Sequence, residues 1–104
     1  TRKESSAASD VYKRQALEGL LKSRPDDPDV WYLVAETRGL SGNIIGLHQA
    51  RAEYFALVGD YRQAIQQLDF AKRRAGSNFP LSSRIDARQR EMMDQEQMVK
   101  DMMR

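Results

Sequence analysis

The sequence predicts an all-α domain in which antiparallel helical hairpins follow one another and a last helix caps the array. Leu, Ala, Arg, Gln and Asp are common among the 104 residues, and Thr occurs only twice, which is typical of helices and not of strands. Turn-forming residues recur at short intervals, so consecutive helices are joined by short connections and run antiparallel. Alanines alternate with large aromatic residues along the helices, as in stacked hairpins that interlock.

Residues 1–15 differ from the rest of the chain because they carry no convincing amphipathic repeat. The string Asp10-Val11-Tyr12-Lys13-Arg14-Gln15 resembles a translated sequencing-adaptor or transposon end. We therefore predict that residues 1–15 are disordered or adaptor-derived, and that the helical-repeat domain occupies residues 16–104 with its last residues frayed. An ordinary frayed helix start is the alternative. The chain does not begin with Met, so we expect it to be a fragment.

The first two predicted helices cover residues 16–23 and 28–40. In the first, three leucines form an apolar stripe at i, i+3 and i+4, namely Leu17, Leu20 and Leu21. The second begins where Asp27 can act as N-cap and Pro28 can occupy the first helical position, at which its missing N–H costs nothing.

Glycine-containing turns delimit the three remaining helices, which we predict over residues 44–58, 61–75 and 80–104. Gly42 can take the left-handed conformation that ends a helix, and Asn43 can cap the next one. Gly59-Asp60 repeats this chemistry, and Gly76-Ser77-Asn78 ends the fourth helix before Pro80. The fourth helix carries an apolar stripe formed by Ala64, Ile65, Leu68 and Ala71.

Two segments resemble the tetratricopeptide repeat. The first is Asp29–Ala35 followed by Gly42, which resembles the first helix of that repeat. The second matches it better in residue type and spacing, through Ala52, Phe55, Gly59-Asp60-Tyr61, Ala64, Leu68 and Ala71. Gly42 and Gly59 lie 17 residues apart, half of the 34-residue period, so the helix between them would serve two consecutive units. His48 and Arg51 fall where the repeat has an aromatic and an aliphatic residue.

Three stretches within residues 24–92 resemble a narrower family. RPDDPDVWYLVAE, HQARAEYFALVGDYRQAIQQLDFA and AGSNFPLSSRIDAR look like parts of the C-terminal helical-repeat region of periplasmic zinc metallopeptidases related to the β-barrel assembly-enhancing protease of Gram-negative bacteria. The resemblance implies a parent with an N-terminal HExxH protease domain that acts on misassembled outer-membrane proteins. It also implies a periplasmic location and a repeat region that contacts substrates, the assembly machinery or the protease domain.

We expect no catalytic centre within this chain. A HExxH zinc site needs two His four residues apart, whereas the single His48 is followed by Gln49. The chain has no Cys, which excludes thiolate ligands and disulfides. We predict no cofactor here, with zinc only in the parent enzyme that the resemblance implies.

The charge and hydropathy of the sequence argue against a nucleic acid partner and against membrane insertion. The formal net charge is +2, and charged residues of both signs, 31% of the chain, are interspersed. This balance disfavours a nucleic acid as partner. Apolar runs fall well short of the roughly 18 residues that a membrane span requires, so we expect no membrane insertion.

Polar residues of the second and third helices are the candidates for partner contacts. Tyr32, Glu36 and Gly39 share the face of the second helix that usually lines the concave groove in this repeat class, and Tyr is a common interface anchor. A dense polar group interrupts the otherwise apolar third helix. The candidate partner-binding residues are Tyr32, Glu36, His48, Gln49, Arg51 and Glu53.

These candidates have structural alternatives. The polar group could form an internal hydrogen-bond network, with Arg51 paired to an acid such as Glu36, because polar groups at core-type positions need partners. Tyr32 could be a half-exposed amphipathic side chain. Lys72-Arg73-Arg74 closes a helix, where cations meet the negative end of the macrodipole, and we favour that interpretation over phosphate binding.

The five Met residues all lie between Met92 and Met103, and Ile85, Met92 and Val99 are spaced by seven. We interpret the last helix as a cap on the repeat array, at least up to Met93. The predicted function is a protein–protein interaction module. The alternative is a stand-alone oligomerisation domain that uses the Met-rich helix.

Overall fold

A computed structural model describes residues 2–104, with side chains from residue 10 onward. Over that range the chain forms five α-helices and no strand. They are α1 (Arg2–Ser23), α2 (Pro28–Leu40), α3 (Ile44–Leu57), α4 (Tyr61–Ala75) and α5 (Phe79–Met102). The predicted all-α class is confirmed, and the bounds of α2 to α5 lie within two residues of those predicted.

Helix α1 begins well before the predicted start at Ala16. It runs through residues 10–15, where most side chains are exposed. A helix that is anchored by the packing of Leu17 and Leu21 can extend over residues of ordinary helix propensity at little cost, even without an apolar stripe. The prediction for residue 1, and for the side chains of residues 2–9, lies outside the described residues. The adaptor origin stays a prediction.

The turns at Gly42 and Gly59 share one geometry. Both glycines are left-handed, with φ of 83° and 85°, so a residue with a Cβ would be strained there. The residue after each glycine donates its backbone N–H to the carbonyl five residues earlier, at 2.9 Å for Asn43 and 2.8 Å for Asp60. Its side chain then accepts the N–H three residues later and caps the next helix. Both predicted stop-and-restart turns are confirmed.

The predicted start of α2 and the predicted end of α4 are also confirmed, and Asn78 is a further cap that was not predicted. Asp27 accepts the N–H of Asp29, and Pro28 stands at the first helical position of α2. Gly76 has a φ of 54°, and the Asn78 side chain caps α5. These local signals explain why the helix bounds were predictable.

The core consists of two clusters that share α3. The first joins α1, α2 and α3, with the buried residues Val30, Val34, Ala35 and Ala50. The second joins α3, α4 and α5, with the buried residues Ala52, Ala64, Leu68, Ala71, Ala75, Ile85 and Met92. Because α3 contributes Ala50 to one cluster and Ala52 to the other, it is the central helix of the array.

Packing follows chain order, since α1 packs on α2, α2 on α3, α3 on α4 and α4 on α5. Helix α5 also reaches α3 through the second cluster. Its last residues extend beyond the shorter α4, and Met102 and Met103 are 78% and 82% exposed. None of the described helices is both long and apolar enough to cross a membrane.

Candidate partner-binding groove

A groove runs along the surface between α2 and α3. Three of the predicted site residues, Tyr32, Glu36 and Arg51, line a cavity of about 150 Å³ there, together with Ala35, Tyr54 and Phe55. The depression continues beyond Glu36 and Arg51 into a second part. Gly39, Leu40 and Leu47 line this second part together with those two residues. We call the two parts together the α2–α3 groove.

Small residues of α2 leave room for this groove. Ala35 is buried at its base, and a Cβ at Gly39 would lie 3.6 Å from the Leu47 side chain. Larger residues at these two positions would fill the space between the helices. The groove is therefore set by residue size at points where α2 and α3 approach each other.

Aromatic rings form one end of the groove. The ring centroids of Tyr32 and Tyr54 lie 5.6 Å apart in an edge-to-face arrangement, and Tyr54 is 5.5 Å from Phe55. Tyr32 is nevertheless 52% exposed. A half-exposed Tyr held by other rings offers apolar area and a hydroxyl at a low cost in side-chain entropy, which suits it as an anchor for a partner.

Opposite charges stand along the groove. Arg51 on α3 and Glu36 on α2 are both exposed and line the same cavity. Within residues 10–104 no ion pair joins them, so the structure does not contain the internal Arg51–Glu36 pair that was the alternative. Both groups can therefore contact a bound segment.

His48 lies on the side of α3 that faces α4. Its Nδ1 is 2.8 Å from Oε1 of Gln67, and its ring lies 5.3 Å from that of Phe70. His48 and Arg51 share the outward side of α3, which we call the outer edge.

Gln49 and Glu53 lie on the opposite side of α3, which we call the inner edge. Arg88 of α5 donates two hydrogen bonds to the Glu53 carboxylate, at 2.7 and 2.8 Å, and a third to Glu91. The hydrogen bonds from Glu53 raise the pKa of the Arg88 guanidinium above its ordinary value, against the opposing effect of burial. Gln49 lines a depression beside Glu53 and Arg88. The polar group of α3 is thus divided between two edges.

The inner side continues to a second ion pair between α1 and α2. Arg38 donates two hydrogen bonds of 2.9 Å to Glu18 and a third to the carbonyl of Gly46. The hydrogen bonds from Arg38 lower the pKa of Glu18, and burial of the carboxylate opposes them. Charges on this side therefore hold neighbouring helices together.

A polar network joins α4 and α5. Gln89 is 4% exposed, and its Nε2 donates to the carbonyl of Ile65 and to Asp69 at 2.8 Å. Its Oε1 accepts from Lys72, which also donates to Asp86. A hydrogen bond from Arg90, followed by that from Lys72, lowers the pKa of Asp86. These contacts account for Lys72 as a structural residue.

Sequence reasoning missed two kinds of residue. Tyr54 and Phe55 line the groove beside Arg51, and their helical spacing of three and four residues from it was an available signal. Arg88 and Gln89 were not predicted to contact α3 and α4. Such contacts between helices depend on tertiary packing, which no local pattern reveals.

Among the described residues, no three His, Asp or Glu side chains group in a way that could hold a metal ion. Comparison with known proteins adds no identification, since no family model, no curated protein and no solved structure matches the chain.

Proposed function

We propose that the chain is a protein-interaction module, a short tetratricopeptide-like array capped by α5, which holds a segment of another protein in the α2–α3 groove. One observation carries the proposal. Leu17, Arg51 and Ile85 are spaced by 34 residues, the length of this repeat, and they belong to α1, α3 and α5. Leu17 and Ile85 pack in the core, whereas Arg51 is exposed in the groove. A charged residue at a repeat position that is apolar in the other helices breaks the local pattern, and such breaks are expected at functional sites.

The glycine turns support the repeat. The left-handed glycines Gly42, Gly59 and Gly76 lie at equal intervals of 17 residues, so two intervals make one period of 34. Each is followed within two residues by the side chain that caps the next helix. Equal turn spacing is what a stack of equivalent helical units requires.

Burial recurs with the same period and favours α1–α2 and α3–α4 as the two hairpins. The buried residues Val30, Val34 and Thr37 of α2 precede by 34 residues three buried residues of α4, which are Ala64, Leu68 and Ala71. The segment that matches the repeat best, from Ala52 to Ala71, has α3 as its first helix and α4 as its second. The equivalence of α2 with α4 therefore makes α2 a second helix as well.

We extend the proposal to the parent protein. The three segments that resemble the repeat region of periplasmic zinc metallopeptidases favour a parent with a separate HExxH domain, and catalysis would then lie outside this chain. On this proposal the module works in the periplasm, and its partner is the protease domain, the outer-membrane assembly machinery or a substrate. The presence of a HExxH motif in the coding sequence upstream of residue 1 tests the extension directly.

Capture from a bacterial envelope extract tests the groove. We expect Tyr32→Ala/Glu36→Ala to reduce the capture of a partner that mass spectrometry identifies as an outer-membrane protein or assembly component. Tyr12→Ala/Asp94→Ala is the matched control, because it also removes an exposed Tyr and an exposed acid, neither of which lines the groove. Equal loss in both variants, or no loss in either, would contradict the proposal.

Arg51→Leu gives a sharper version of this experiment. It restores the aliphatic residue found at the equivalent positions of α1 and α5 and removes the charge from the groove. We expect the variant to keep its helicity and thermal stability while its capture of the partner falls. A variant that binds like wild type would show that Arg51 does not contact the partner.

The Met-rich end of α5 supports a second candidate function, which is self-association. Beyond Met92, the exposed residues Met98, Val99, Met102 and Met103 continue the apolar side of α5 past the end of α4. Size-exclusion chromatography with light scattering, with and without residues 94–104, tests this candidate. A dimer that becomes a monomer on truncation would favour it, and a monomer in both forms would exclude it.

A further inference from the structure

The charges of the α3–α4 hairpin are sorted between its two sides. These helices contain only two acidic residues, Glu53 and Asp69, and both bond to α5, through Arg88 and Gln89 respectively. Lys72 also faces α5, where it pairs with Asp86. The remaining carboxylate of the hairpin is that of Asp60 in the turn, which caps α4 and does not bond to α5.

Four arginines remain on the hairpin away from these contacts. Arg51, Arg62, Arg73 and Arg74 are exposed, and none forms an ion pair with any residue in the range 10–104. Arg73 lies over the Phe70 ring at 5.9 Å, and Phe70 in turn contacts His48. We call this surface the basic face, formed by His48, Arg51, Arg62, Phe70, Arg73 and Arg74.

Helix electrostatics explain only part of the basic face. Arg73 and Arg74 stand in the last turn of α4, where the macrodipole favours cations. Arg62, however, is in the first turn of α4, where the dipole disfavours a cation, and Arg51 is in the middle of α3. Glu36 lines the same cavity as Arg51, and Asp60 caps α4 two residues before Arg62. Neither arginine forms an ion pair in the described part of the chain, so both guanidinium groups are available to an external anion.

The form of the face favours carboxylates on an extended polypeptide over a nucleic acid. Single-stranded nucleic acids stack their bases on open aromatic faces, but Phe70 is half-buried between His48 and Arg73. The guanidinium groups are distributed along two helices, which suits separate acidic side chains. Arg51 also lines the α2–α3 groove, so a segment lying in the groove continues onto the basic face.

We infer that the basic face binds an acidic segment of the partner polypeptide, adjacent to the part that occupies the α2–α3 groove. The inference names the chemistry of the partner and rests on the proposed function, because groove and face then hold one continuous chain. Guanidinium groups are suited to this role, since they donate paired hydrogen bonds to carboxylates.

Fluorescence anisotropy with a labelled dodecaglutamate peptide tests the inference. We expect the purified chain to bind this peptide with an affinity that falls as salt is added, and to bind the equivalent glutamine peptide far more weakly. Arg62→Gln/Arg73→Gln/Arg74→Gln should weaken binding by about tenfold, since each removes a charge contact from the complex.

The matched control is Arg24→Gln/Arg84→Gln/Arg104→Gln, which removes three exposed arginines outside the basic face. An equal loss in this control would overturn the inference, because binding would then follow net charge alone. Tighter binding of a thymidine oligonucleotide than of dodecaglutamate, lost in the basic-face variant, would also overturn it in favour of a nucleic acid. Circular dichroism of each variant confirms that the helices are retained.

Tyr32→Ala separates this inference from the proposed function. The dodecaglutamate peptide has no residue to anchor in the groove, so we expect Tyr32→Ala to bind it like wild type. If the peptide depends on the basic face while envelope capture does not depend on Tyr32, the groove proposal fails alone. If capture depends on Tyr32 and the peptide ignores the basic-face variant, the present inference fails alone.

Discussion

Helix α3 carries polar residues on two edges that face opposite sides of the molecule. On the inner edge, Glu53 accepts two hydrogen bonds from Arg88 and so connects α3 with α5. On the outer edge, Arg51 is exposed in the groove and pairs with no acid in the described part of the chain. Arg51 and Glu53, which are only two positions apart, thus differ in whether another helix of the chain supplies a charged partner.

The comparison shows how to separate structural from functional charges in a small helical domain. A charge that already has a partner on another helix contributes to the fold, and its position is explained by that contact. A charge that replaces an apolar residue and has no partner needs a different explanation. For Arg51 we propose contact with another protein.

The largest loss of folding stability should follow from truncating Met92, the buried apolar side chain of α5 beneath the inner edge. Met92 is fully buried in the cluster that fixes α5 on α3 and α4. We expect Met92→Ala to lower the free energy of unfolding by about 3 kcal/mol, through lost burial and the cavity left behind. Urea denaturation measures the change. Met93→Ala is the control. Because the Met93 side chain is exposed, we expect this variant to lose less than about 0.5 kcal/mol. Similar losses in both variants would show that α5 is not anchored through Met92.

A smaller effect should follow from breaking the network between α4 and α5. Gln89→Ala removes a buried amide and leaves Asp69 and Lys72 without one of their partners. We expect a loss of about 2 kcal/mol in unfolding free energy. Gln66→Ala, on the exposed side of α4, should change it by less than about 0.5 kcal/mol. Thermal or urea unfolding of Gln89→Ala and Gln66→Ala compares the loss of a hydrogen-bonded glutamine with the loss of a solvated one. Equal stabilities of the two variants would show that the network does not stabilise the fold.

The ion pair between α1 and α2 predicts a pH dependence. Arg38 lowers the pKa of Glu18 in the folded state, so the pair stabilises the fold above the ordinary pKa of glutamate. This contribution should be lost as the pH falls through the lower, folded-state pKa. We expect the melting temperature of wild type to fall more between about pH 5 and pH 3 than that of Glu18→Gln. Parallel curves for the two proteins would show that Glu18 contributes no pH-dependent stability.

The helices and their caps could be predicted because their signals are local. Asp27 with Pro28, Gly42 with Asn43, and Gly59 with Asp60 each define a helix boundary within a few residues of sequence. The start of α1 could not be predicted in this way, because an exposed helix that extends an anchored one needs no apolar stripe.

The candidate site was predictable only in part. Tyr32, Glu36 and Arg51 line the α2–α3 groove, whereas His48 contacts α4 and Glu53 bonds to α5. The polar residues of α3 are close in sequence, but rotation of 100° per residue distributes them around the helix. Their partners are decided by which helices pack on each side.

Gly46 shows the same limit at the level of one atom. A Cβ at Gly46 inside α3 would collide with the capping side chain of Asn43 and would lie 2.9 Å from Cδ of Arg38. The glycine therefore leaves room both for the cap and for the Arg38 side chain that reaches Glu18. Only the packed structure reveals this requirement.

Urea denaturation of Glu53→Ala and Arg51→Ala compares the structural roles of the two edges of α3. We expect Glu53→Ala to lower the free energy of unfolding by about 1–2 kcal/mol, because Arg88 loses its main partner. Arg51→Ala should change it by less than about 0.5 kcal/mol, because the exposed guanidinium holds no other helix. A loss for Arg51→Ala as large as that for Glu53→Ala would show that the outer edge is also structural, and it would contradict the assignment of Arg51 to partner binding.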